Sequence, residues 1–251
     1  MANWNDRQTT RPGFGTTPNL RGDVTTGTTF DAGLRSHMLS IYNYMTSGIL
    51  LTGIVSLLFA RSGMAAQVMT GGPLTWLIVL SPLAIVMAMS FGANRFSKST
   101  LAAMFWAYAV LIGLSISTIF LVYTASSIAV TFFATAGAFA GLSLFGYTTQ
   151  KSLSGMGSFL IMGVVGLVIA SLLNLWLQSP GLMYAISFLG VLIFAGLTAY
   201  DTQRIKTDYI AHAQHGDQEW LGKSAVMGAL NLYMNFINIF MFLLQFLGNR
   251  D

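Results

Sequence analysis

One acid and three amides stand where most of the neighbouring residues are apolar. Asp201 closes the run FLGVLIFAGLTAYD, and Asn231, Asn235 and Asn238 lie in the run SAVMGALNLYMNFINIFMFLLQFLG. The amides are spaced by four and three, so on a helix they share one face. One kind of chemistry follows from such a set: a carboxylate beside amides can hold a hydrogen-bonded contact that protonation weakens. An ionisable group in an apolar surrounding is costly unless it is buried against protein or water, and this makes Asp201 the first candidate. A plainer reading stays open: a helix end at the membrane edge, hydrated beside Arg204 and Lys206. Asn238, deepest of the three amides, reads better as glue between helices.

The elements that must position these groups are set by composition. Charged residues make up 8% of the chain and hydrophobic ones 54%, with a mean hydropathy of +0.66. A soluble domain would carry about a quarter charged residues, so the surface here must face lipid. Seven apolar runs follow one another, at 39–60, 74–93, 101–123, 128–147, 156–177, 182–200 and 225–247. Each is close to the roughly 20 residues that cross a bilayer as a helix. They lack the alternation of a barrel strand. The expected fold is an all-α integral membrane protein, a seven-transmembrane-helix bundle with the seventh run at its centre, because the amide stripe should avoid lipid. Breaks fall at Gly71-Gly72-Pro73, Asn94–Lys98, Thr124–Ser127, Thr148–Gly155 and Ser179-Pro180-Gly181, and Pro82 should kink the second run. Gly137 and Gly141, four apart, should pack tightly inside the bundle. Residues 1–36, rich in Thr, Gly and Arg, read as a disordered tail with no secretory signal; residues 37–251 form the membrane domain.

Orientation follows from the basic residues. With the N-terminus inside, Arg7, Arg11, Arg21, Arg35, Arg95, Lys98, Lys151, Arg204, Lys206 and Lys223 are cytoplasmic; only Arg61 and Arg250 are outside. Ten against two predicts a cytoplasmic N-terminus and an outside C-terminus. It also puts Arg95, Asp201 and, roughly 9–15 Å into the seventh run, Asn231 and Asn235 at similar depth. An Arg95–Asp201 pair would favour the charged acid and would be released on protonation.

Other chemistries find no residues. Cysteine is absent, which removes disulfides, thiolate metal sites and a cysteine nucleophile. There is no HExxH, and His37, His212 and His215 lie outside the apolar runs, so no intramembrane Ser–His pair forms. The seventh run has no lysine for a retinal Schiff base. The segment 201–224, with Asp208, His212, His215, Asp217 and Glu219, reads as a solvated loop rather than a metal site. The net charge of +4 reflects orientation, not nucleic acid. No enzyme and no cofactor are expected, and the oligomeric state is not legible.

The blocks GLTAYDTQRIK and ALNLYMNFINIFMFLLQFLG, in that order, resemble the signature of the Bax inhibitor-1, or transmembrane Bax-inhibitor-motif, family, in its bacterial form. The likeness extends over roughly residues 36–248. It implies a multi-pass protein of the bacterial inner membrane that passes calcium in a slow, pH-sensitive leak, governed by two acids and a basic residue. Asp201 matches the first acid, and Arg95 matches the basic residue by position. Asn235 stands where many relatives have Asp, so the implied sensor is Asp201, Asn235 and Arg95, with Asn231 and Asn238 as supporting polar groups. The resemblance also implies an alternative: a regulator that binds a membrane protease or stress-response proteins without conducting ions.

Overall fold

The structure is a computed structural model and describes residues 20–212 and 217–249, with side chains from residue 32 onward except at 68 and 69. It contains nine helices among the described residues: α1 (Leu20–Arg61), α2 (Met64–Met69), α3 (Pro73–Gly92), α4 (Lys98–Ile116), α5 (Ile119–Val122), α6 (Ala125–Thr148), α7 (Ser154–Leu177), α8 (Pro180–His212) and α9 (Gln218–Leu247). Seven stretches are long and apolar enough to cross a membrane. They coincide with the seven apolar runs, α4 and α5 together making the third.

The local signals act where the sequence puts them. Pro73 occupies the first turn of α3, where its missing N–H is no loss. The hydroxyls of Ser97 and Thr124 accept from the backbone N–H groups of Thr100 and Ser127 and so cap α4 and α6. Pro82 lies inside an unbroken α3. Its ring removes one N–H and frees the Ile78 carbonyl four residues back. Ser115 of α4 donates to that carbonyl at 2.8 Å, and Ser81 donates at 3.2 Å. The proline therefore becomes a tie between α3 and α4.

Two boundaries differ from expectation. The tail was expected to reach Ser36, but α1 begins at Leu20; residues 1–19 of that expected tail lie outside the described residues. Leu34, Met38, Ile41, Met45 and Ile49 are all buried at helical spacing, so the helix stripe begins before the hydropathy does. Likewise the polar stretch after Asp201 is not a loop. α8 continues to His212, and α9 begins at Gln218 with Asp217 as its cap. Ile205 and the buried Tyr209 continue an inward face one turn apart while Arg204 and Asp208 pair on the outside at 3.7 Å. At 1.5 Å per residue α8 is about 50 Å long, well beyond a hydrocarbon core of about 30 Å.

Burial is uneven among the spans. More than half of the α9 span is buried, against a third or less in each of the other six. α9 packs against α8, α1, α6 and α4, while α7 rests mainly on α8 and α3 mainly on α4. The far side of α7 is bare: Trp176 is 89% exposed and Leu175 75%, a surface suited to lipid.

Gly146 is where α6 and α8 come closest. A Cβ there would meet the Ala199 backbone, its carbonyl oxygen first. Gly137 and Gly141 behave otherwise: a Cβ at either meets nothing within 4 Å. They take no part in packing within this chain, because they lie on the outward face of α6. Gly146→Ala should therefore cost about 1–3 kcal/mol, as overpacking does, while Gly137→Ala should be neutral or stabilising by up to about 1 kcal/mol from helix propensity. Thermal unfolding in detergent checks both; equal midpoints for the two variants would contradict the close α6–α8 contact.

Candidate functional site

The long α8 and α9 lie side by side over their length, and Asp201 and Asn235 face each other across that interface. Asn235 Nδ2 donates to Asp201 Oδ2 at 2.7 Å. Asn235 is 4% exposed, and Asp201 is partly buried. The residues are 34 apart in sequence, brought together because two helices joined by a short connection run antiparallel. The amide is fixed by its chemistry: a carboxylate only accepts, so the NH₂ end of Asn235 must point at it. The cation nearest in influence is Arg204, one turn further along α8.

The rest of the expected constellation disperses. Arg95 follows α3, which packs on α4 and not on α8. Its side chain is exposed, and the ion pairs among the described residues are Arg204–Asp208 and Lys223–Glu219. The Arg95–Asp201 pair expected from matching depth does not form: equal depth places two residues in one plane, and here they stand on separated helices of that plane. Asn231 is half-buried, and its side chain makes no hydrogen bond among the described residues. Asn238 donates to the Met234 carbonyl of its own helix at 2.8 Å and lines a small cavity against α7. The stripe thus splits into one amide bonded to the acid, one satisfied by its own backbone and one free. His212 stacks on Trp220 at 4.2 Å between ring centres and closes the α8–α9 hairpin; His215 lies outside the described residues.

Three hydroxyl groups beside the acid were not singled out from sequence. Tyr42 donates to Ser143 at 3.2 Å, and Ser143 meets Thr202 at 3.0 Å. Thr202 spends its own proton on the Thr198 carbonyl. Ser143 must then donate to Thr202, and the chain runs in one direction from α1 through α6 to α8. A second polar lock lies deeper: Thr52 donates to the Ala109 carbonyl at 2.8 Å, so the 2.6 Å contact with Tyr233 has the tyrosine donating. Tyr233 is fully buried, and its ring sits edge-on to Phe105 and Tyr108. Ser and Thr are so common in this sequence that spacing alone could not select these.

Seven apolar spans with a polar clasp inside the bundle define a multi-pass α-helical membrane protein. Residues 34–251 match the family model described as inhibitor of apoptosis-promoting Bax1. The chain is 46% identical over 233 residues to an uncharacterized protein of Caulobacter vibrioides, covering 88% of this chain and 92% of that one. It is 43% identical to the uncharacterized protein RP147 of Rickettsia prowazekii over 88% of this chain and 93% of the relative. It is 42% identical to the inner membrane protein YbhL of Escherichia coli, over 87% and 94%. The chain belongs to the Bax inhibitor-1 family.

A double-mutant cycle measures the clasp. With Asp201→Ala, Asn235→Ala and the double variant, thermal unfolding near neutral pH should give a coupling of about 1.5–3 kcal/mol, the range for a hydrogen bond to a charged group. Additive single effects would show that the contact contributes nothing beyond packing.

Proposed function

We propose that this protein passes calcium, or a similar cation, slowly through the bacterial inner membrane, and that protonation of Asp201 governs the passage. The carrying observation is the 2.7 Å bond between Asp201 and Asn235 across the α8–α9 interface. Ionised, the carboxylate accepts a charge-assisted bond and ties the two helices. Protonated, it loses the charge that strengthens the bond, and the helices are freer to part. The switch is a clasp between α8 and α9, and Arg204 takes the neighbouring-cation place that Arg95 was expected to fill. Asp201 and the Asn235 amide oxygen are the oxygen donors on the route, with Asn231 and Asn238 further along the same helix. One carboxylate makes a weak calcium site, as suits passage rather than storage. The reading requires no cofactor and assigns no enzymatic step.

Inner-membrane residence is supported by the name of the E. coli relative. A cytoplasmic N-terminus and an outside C-terminus are supported by the ten-to-two distribution of basic residues and by seven spans. Reporter fusions after Arg250 and within residues 213–216 should then report opposite sides of the membrane; the same side for both would refute the topology.

A second reading has its own support. The α8–α9 hairpin projects past the apolar part of the bundle and carries paired charges, Arg204–Asp208 and Lys223–Glu219. Such a surface suits a protein partner, and a regulator of membrane proteolysis or of a stress response would use it without conducting ions.

Calcium entry into dye-loaded proteoliposomes, followed between about pH 5 and 8, separates the two. Flux should rise as pH falls, in one step. Asp201→Asn, which cannot ionise, should give the low-pH flux at every pH. Asn235→Asp places two carboxylates within hydrogen-bonding distance, and such a pair shares a proton and titrates in two steps. Its flux should increase and acquire a second step. If all three proteins behave alike, Asp201 does not govern passage; if none passes calcium, the regulator reading takes over.

A further inference from the structure

Between α1 and α6 the bundle is open on either side of one bridge, the Tyr42–Ser143 hydrogen bond. α1 packs on α4 and α9, and α6 packs on α8 and α9. The gap between α1 and α6 is a cleft of about 800 Å³, within the range of ligand pockets. Its walls are apolar: Met38, Met45 and Ile49 from α1, Ala136 and Phe139 from α6, and Phe236 of α9 at its floor. Leu50 and Leu144, on its edges, are more than half exposed. Between two membrane spans, such an opening faces acyl chains.

One end of the cleft differs. Arg35 lines it, and Arg35 also lines a second groove of about 620 Å³ on the adjoining face of α1. The lining of that groove is mostly apolar but carries the polar groups of Ser36, Ser40 and Asn43, and it is bounded by Tyr44 and Trp106. Aromatic residues of this kind mark the level of lipid headgroups. Across the same end, Lys206 donates to the Tyr147 carbonyl at 2.8 Å, and Tyr147 borders the cleft. A groove that carries hydroxyl, amide and guanidinium groups thus adjoins an apolar slot along Arg35 and Leu39, with a second cation near its mouth. From Arg35 to Ile49 is about 21 Å at 1.5 Å per residue, enough for a headgroup and the chain of one leaflet.

We infer that this paired groove binds an anionic phospholipid, its phosphate held by Arg35 beside Ser36, Ser40 and Asn43 and one acyl chain lying between α1 and α6. Charge chooses the lipid and shape seats the chain. The Arg35 guanidinium matches phosphate oxygens as a fork, while a zwitterionic headgroup brings a cation that opposes it. The inference does not depend on ion passage.

Purified full-length protein in non-ionic detergent is titrated with phosphatidylglycerol and, separately, with phosphatidylcholine of the same acyl composition. Native mass spectrometry counts the lipids retained. The parent protein should prefer phosphatidylglycerol roughly five-fold, the effect of one basic residue near an anionic surface. Arg35→Gln alters an exposed side chain and should level the two lipids. Ala136→Trp fills the slot and should remove the bound lipid, whereas Gly137→Trp, on the open neighbouring face, should not. Phosphatidylglycerol with a photoactivatable acyl chain should label α1 between Met38 and Leu50 and α6 between Phe132 and Tyr147. If Ala136→Trp loses helical circular dichroism, the labelling and Arg35→Gln decide. Equal retention of both lipids, an unaltered preference in Arg35→Gln, labels concentrated on the bare face of α7, or a second copy of the chain in place of lipid would each overturn the inference.

Discussion

In lipid, apolar surface gains little by turning inward, because the solvent is as apolar as the core. What places these helices is therefore the need to satisfy polar groups and the closeness small residues allow. The structure shows both at each major contact. Ser115 occupies the carbonyl that Pro82 frees, tying α3 to α4. Thr52 joins α1 to α4 and receives the Tyr233 hydroxyl from α9. Ser143 and Thr202 join α6 to α8 just where Gly146 lets the backbones approach. The Asp201–Asn235 bond belongs to this series and differs in one respect: it alone includes a carboxyl group, which free in water gives up its proton at about pH 3.9.

That difference is what the proposed switch would use. On that reading the clasp has two states, set by one proton. It lies among buried apolar neighbours of α9, so a change in its strength is not diluted by water. Asn235 also limits what can happen there. An amide holds the acid in place without competing for its proton, so the site stays a one-carboxylate site.

The spans were legible because hydropathy reads lipid solubility, and α3, α6 and α7 begin and end within three residues of their runs. The amphipathic extensions were not legible by the same measure. Residues 20–38 and 201–212 are helical with too many polar residues to register as apolar, and a search for buried positions at helical spacing, such as Leu34, Met38 and Ile41, finds what hydropathy misses. The acid and its amide were found because a lone Asp and a spaced Asn set are rare in apolar runs. Arg95 was misplaced because depth is a one-dimensional coordinate. Sequence orders residues along the membrane normal, but which helices touch is decided by contacts such as Gly146 on Ala199, and a glycine does not announce its neighbour. Gly137 and Gly141 make the same point in reverse: the spacing that permits close packing occurs on a face that packs against nothing among the described residues.

The hydroxyl chain gives the clasp and the lateral cleft a common boundary. Tyr42 borders the cleft and donates to Ser143; Ser143 donates to Thr202; Thr202 is the residue after Asp201. Two directed hydrogen bonds therefore run from the wall of an apolar groove to the turn of α8 that carries the acid. Contiguity alone transmits nothing; coupling needs an element with two positions that both ends bias. On the proposed function α8 would be that element. It is held to α6 by the hydroxyl chain and by Lys206 on the Tyr147 carbonyl, and to α9 by the one bond that a proton alters. A body in the cleft that displaces Tyr42 loosens the first attachment, and a proton on Asp201 loosens the second. Both would act on the same helix, from opposite sides, and by linkage any effect of one on the other is reciprocal.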